Sequence, residues 1–196
     1  MPPLKPVWDV LVYVVLPVWV VAGFVDYLCH RKSDIEDANG AKESALHWLM
    51  LGEVGAPLLA VVFLKVNALL MLFAVLCLIA HEITGYLDLR LAMSTRKVTA
   101  FEHQVHSVLE MMPLTAMLLL FILHWGQLQA LLGFGPEHAD FSITLKPLPG
   151  WAEILPPALA FLAFAIVPYV EEFLRGLRAE RRNSASVASR SSRSSA

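Results

Sequence analysis

Long apolar runs alternate with short polar stretches along the chain, and five of the runs can cross a bilayer as helices of roughly 20 residues. The first extends from about Trp8 to Leu28 and carries Pro17, which predicts a kink. A polar loop, His30 to Lys42, leads to the second, about Ala45 to Leu64, which holds Glu53, Gly55 and Pro57. Lys65-Val66-Asn67 predicts a tight turn into the third, about Ala68 to Leu89. A connector, Arg90 to Thr99, leads to the fourth, about Phe101 to Leu123, and a Gly- and Pro-rich loop separates that from the fifth, about Trp151 to Leu174. The expected fold is an all-α integral membrane helical bundle of about five transmembrane helices, one domain over 1–182. Beyond it the Ser/Ala/Arg-rich segment 183–196 has nothing to bury and is expected to be a disordered tail.

Composition agrees with that pattern. Hydrophobic residues make up 57% of the 196 and charged residues 16%, against about 25% charged in a soluble domain. The first apolar run lacks a basic leader and a small-residue cleavage site, so it is expected to stay in the mature protein. Cys29 and Cys77 have neither disulfide nor CxxC spacing and read as small buried hydrophobes. The net charge of −2 comes with no basic stripe, which argues against a nucleic-acid partner.

The charge distribution carries more than the sum. Of the 15 Lys and Arg, twelve fall on one side of the predicted bundle and three (Lys5, Lys65 and Lys146) on the other. By the positive-inside rule the N-terminus is then outside and the C-terminus cytoplasmic, which in a bacterium would mean the inner membrane. Trp8, Trp125 and Trp151 fall at the outer interface and Trp48 at the inner one, as in an aromatic belt.

With that topology, most ionisable residues gather in the cytoplasmic half. Asp26 and His30 end the first helix, Glu43 and His47 begin the second, His81, Glu82 and Asp88 end the third, and Glu102, His103, His106 and Glu110 begin the fourth. Asp26/His30 and Glu43/His47 are four apart, so each pair shares a helix face. His81 and Asp88 lie two turns apart, and His103, His106 and Glu110 fall within an arc of about 60°. An isolated charge in lipid costs at least ~2.5–3.5 kcal/mol, so these stripes should face one another inside the bundle. Divalent metal ions offset that cost for mixed imidazole and carboxylate groups, and more than four candidate ligands suit two ions, iron best. The expected ligands are Asp26, His30, Glu43, His47, His81, Asp88, His103, His106 and Glu110, with His81, His103, His106 and Glu110 at the centre. Glu53, the deepest carboxylate, is a candidate catalytic or proton-relay group.

This arrangement resembles the integral-membrane non-haem diiron oxidases, desaturases and hydroxylases, in pattern and over about residues 26 to 110. The resemblance implies O₂ activation at two irons at the cytoplasmic helix ends and a lipid or other hydrophobic substrate. A separate electron donor would then be needed, since no flavin or nucleotide motif is present. The chain has neither the HxxxH nor the HxxHH box, and its Glu-to-His spacings at 43/47 and 102/106 are four rather than the three of ExxH.

Other readings of the same residues stand beside this one. Thr99-Ala-Phe-Glu102 matches a capping box, which would make Glu102 a helix cap. Asp88 could pair with Arg90 or Arg96, and Glu171/Glu172 with Arg175. As function classes, the alternatives are a zinc-dependent lipid hydrolase, a b-type haem protein with two histidine ligands, and a metal or proton transporter.

Overall fold

The computed structural model describes residues 4–33, 40–147 and 150–194. The polar loop expected before the second helix lies partly outside them, at 34–39. Five helices are long and apolar enough to cross a membrane, and among the described residues there is no strand beyond one isolated bridge, Leu64 to Leu145. Helix α1 comprises Lys5–Val10 and Leu16–Lys32 joined by a π-helical turn, Leu11–Val15. Helices α2 (Gly40–Phe63), α3 (Ala68–Thr95) and α4 (Ala100–Leu123) follow, then a short α5 (Trp125–Leu131). The last, α6, comprises Trp151–Phe161 and Val167–Ser194 around a second π-helical turn, Leu162–Ile166. Its helical backbone continues over 183–194, the segment whose composition predicts a disordered tail. No Gly or Pro follows Gly176 to break it.

Side-chain caps set two of the helix starts. Asn67 Oδ1 accepts from Leu70 N–H at 3.1 Å and opens α3. The turn before it is pinned by the long loop: Lys65 N–H donates to Thr144 O, Lys146 N–H to Phe63 O, and Asn67 Nδ2 to Ser142 O. Thr99 Oγ1 accepts from Glu102 N–H at 3.1 Å and opens α4.

The π-helical turns have a common cause. Leu16 N–H bonds to Leu11 O, and Val167 N–H to Leu162 O, each a five-residue step. Each turn ends two residues before a proline, Pro17 or Pro168. A proline lacks the N–H that would bond four residues back and its ring crowds that carbonyl, here Tyr13 or Phe164 in the middle of each turn. The kink expected at Pro17 is thus realised as a widened turn.

The helices close a ring in which α2 packs along α3 and α6, α1 along α4 and α6, and α3 meets α4. Burial is inverted relative to a soluble protein. Of the six largest fully buried side chains, five are polar: His30, Glu43, Ser44, Glu102 and Glu172. Large apolar groups such as Tyr13, Ile83, Phe101 and Leu159 point outward. A polar interior under an apolar coat suits a hydrocarbon solvent.

Candidate metal centre

The polar core forms where the last two turns of α1, the first turns of α2 and α4, the end of α3 and the middle of α6 converge. Three of these helices contribute a carboxylate and an imidazole four residues apart: Asp26/His30, Glu43/His47 and Glu102/His106. The spacing stacks each pair on one face, and the ring of helices turns all three faces inward. Asp88 arrives from α3 and Glu172 from α6. All eight side chains are buried.

Glu172 organises the centre. One of its oxygens lies 3.1 Å from His30 Nδ1, and the other lies 3.1 Å from His47 Nδ1 and accepts from Ser44 Oγ at 2.9 Å. With Nδ1 of both rings engaged, both Nε2 atoms are free to face other groups. His30 Nε2 lies 3.6 Å from Asp26 Oδ1, 3.6 Å from Glu102 Oε1 and 3.9 Å from Glu43 Oε1. His47 Nε2 lies 3.4 Å from Asp88 Oδ2. His106 Nε2 approaches Asp26 Oδ1 to 2.9 Å. Asp26 Oδ1, His30 Nε2 and His106 Nε2 are buried without an aligned hydrogen-bond partner. Buried polar atoms are ordinarily paired, and unpaired ones invite an ion.

Arg96, just beyond α3, closes the end of the cluster nearest the connector between α3 and α4. Its Nη2 lies 2.6 Å from Glu43 Oε1 and 2.5 Å from Glu102 Oε1, and its Nη1 donates to Ser33 Oγ at 3.4 Å. Burial disfavours the Arg96 charge, but Glu102 and Glu43 outweigh it and hold its pKa above the ordinary value. Arg96 reaches two of the five buried carboxylates, Glu43 and Glu102, and the other three face imidazoles.

The donor set fits metal ions. Ligand atoms of Asp26, His30 and His106 lie within 4.8 Å of one another, as do those of His30, Glu43 and His47. Donors at about 2.1 Å from one ion are about 3.0–3.4 Å apart, close to the 2.9 and 3.6 Å separations around Asp26. The carboxylate of Glu172 on the far nitrogen of two histidines is the support that metal-ligating imidazoles ordinarily have.

Several sequence-predicted residues lie elsewhere. His103 is exposed: the buried stripe of α4 runs through Glu102, Val105, His106, Pro113 and Leu120, and His103 sits about 100° round from Glu102. Glu110 is exposed and borders a cavity above the cluster. His81 joins neither ligand group; its Nδ1 faces Glu53 Oε2 at 4.0 Å, and Glu53 Oε1 accepts from Thr84 Oγ1 at 2.9 Å. That pair lies two turns, about 10 Å, along α3 from Asp88.

Other residues take partners that the sequence pattern does not predict. The capping box is half formed: Thr99 caps the backbone of Glu102, but the Glu102 side chain turns inward to Arg96 and His30. Asp88 faces His47 rather than an arginine. Glu171 pairs with Tyr27 Oη at 3.0 Å, Arg31 at 3.6 Å and Arg175 at 3.7 Å, while Glu172 points into the bundle. Tyr169, one turn before Glu172, packs on the His47 ring at 5.9 Å between centroids. The signal for Glu102 was present in the thrice-repeated acid-x-x-x-His spacing. Glu172 and Arg96 carry no comparable signature. No protein-family model, curated protein or solved structure matches this chain.

Proposed function

We propose that this chain is a membrane-embedded metal-dependent enzyme, a non-haem diiron oxidoreductase (an oxygenase, hydroxylase or desaturase) acting on a lipid or other hydrophobic substrate. The observation that carries the reading is the Glu172 carboxylate bound to Nδ1 of His30 and His47, which turns both Nε2 atoms toward buried carboxylates. In this reading Asp26, His30 and His106 hold one ion, and Glu43 and His47, which group with His30, hold a second, with Asp88 beside His47 Nε2. Glu102 completes the first set when it leaves Arg96. Bound iron would supply one-electron chemistry and O₂ activation, with electrons from a separate donor. The protein's own part is to fix the imidazoles, exclude bulk water through the Arg96 closure and present substrate from the apolar side. Glu53 on α2 and His81 on α3, 4.0 Å apart, are the candidate proton-relay pair, away from the ligands. The basic asymmetry of the loops supports a cytoplasmic position for the cluster.

A zinc hydrolase would use three or four of these ligands and leave several buried carboxylates uncompensated. A b-type haem held by His81 and a histidine of α4 would leave His30, His47 and the buried carboxylates around them unused. The test is metal analysis and visible and Mössbauer spectroscopy of the detergent-purified full chain. About two irons per chain without a Soret band are expected; zinc alone, haem, or a chain that neither carries nor takes up metal would overturn the reading.

A further inference from the structure

A cavity of about 140 Å³ rises from the metal cluster along the bundle axis, with all five long helices in its wall. Its floor is formed by Asp26, His47, Asp88 and His106, and Tyr169 stands beside them. Above the floor the wall is largely apolar, with Trp19, Leu51, Val54, Leu58, Leu109 and Phe161 among its residues; His81 and Glu110 are its polar members, and no Lys or Arg lines it. The second π-helical turn borders it through Ala165, and Leu16, directly after the first, lines it as well. Widened turns of this kind gather at functional sites.

We propose that this cavity seats the hydrocarbon end of a neutral lipid, so that the substrate enters from the bilayer tail-first and a chain-end or ring carbon, not a headgroup, reaches the cluster. Three observations carry the orientation. The end of the cluster at Arg96 is closed, because His30, Glu43 and Glu102 are at most 1% exposed beneath that side chain, so a guest comes through the apolar side. The wall offers a phosphate or carboxylate no Lys or Arg, and burying such an anion unpaired among apolar groups is costly. Capacity sets the size, since a dry apolar cavity of about 150 Å³ holds a benzene-sized guest. The seat therefore takes about six carbons, and the rest of the molecule remains among the helices or in the bilayer.

Gly55 provides a way to close the seat without touching a ligand. It lines the cavity, and a Cβ built on it meets nothing within 4 Å, so a larger side chain there extends into open space. The meaning of the seat as a substrate site rests on the metal reading, but its occupancy can be measured separately.

The experiment uses the full chain in lipid nanodiscs and two long-chain alcohols, one with a photoreactive diazirine at the chain end and one with it beside the hydroxyl. The chain-end probe should label peptides containing Val54, Leu58 or Phe161, and the hydroxyl-end probe should label them at least tenfold less. Gly55→Leu, and separately Ala165→Leu, should cut the chain-end labelling about tenfold while bound metal per chain stays at the wild-type value. Equal labelling by both probes, stronger labelling by the hydroxyl-end probe, or labelling unaffected by both substitutions overturns the proposal. Wild-type protein that labels as expected but holds no metal would leave the seat standing and overturn the metal reading instead.

Discussion

The imidazoles of His30 and His47 lie parallel, 4.9 Å between centroids and 5° between planes, because Nδ1 of each lies 3.1 Å from the same carboxylate, that of Glu172. Two rings from two different helices are thereby held in one orientation by a residue on a third. Removing that carboxylate should loosen both at once. Glu172→Ala is expected to weaken metal binding 10- to 100-fold, the usual cost of losing such a support. Glu171→Ala, whose partners are Tyr27, Arg31 and Arg175 rather than the histidines, should leave affinity within about twofold. Competition against a chromogenic chelator measures both.

Ligand roles separate the histidines in the same assay. His30→Ala and His106→Ala each remove an Nε2 that is buried without an aligned partner, and each should abolish most bound metal. His103→Ala changes an exposed side chain and should retain full occupancy. Equal losses from His103 and His106 would contradict the assignment.

Arg96 compensates Glu43 and Glu102, so its value depends on whether a metal is bound. In the metal-free protein Arg96→Gln leaves both carboxylates buried without a cation, and breaking such a pair costs about 3–5 kcal/mol. Bound divalent ions would supply the missing positive charge. The substitution should therefore lower the melting temperature of the chelator-treated protein clearly more than that of the metal-loaded protein, as read by thermal denaturation in detergent. An equal fall in both would mean that Arg96 acts only as a structural brace.

The sidedness proposed from twelve basic residues against three predicts that reporters fused after Ala196 and within the loop 133–150 report opposite compartments, with the former cytoplasmic. Matching signals would remove the five-span arrangement.

The apolar runs and their turn signals determined the five helices, because a span must satisfy its backbone internally and needs only length and hydropathy to be recognised. Asn67 and Thr99 marked two helix starts by local chemistry alone. The inward faces of α1 and α2 were also legible, since acid and histidine four residues apart must share a stripe. Which stripe of α4 faces inward was not. Helical periodicity allows both the His103–His106–Glu110 arc and the Glu102–His106 pair, and only the packing of α1 along α4 selects the second. Glu172 lies 125 residues from the His47 it supports and 142 from His30. Nothing near it in sequence distinguishes it from Glu171, which meets Arg31 and Arg175. A 100° difference around one helix separates the two, and the closing of the ring of helices turns one outward and the other into the centre.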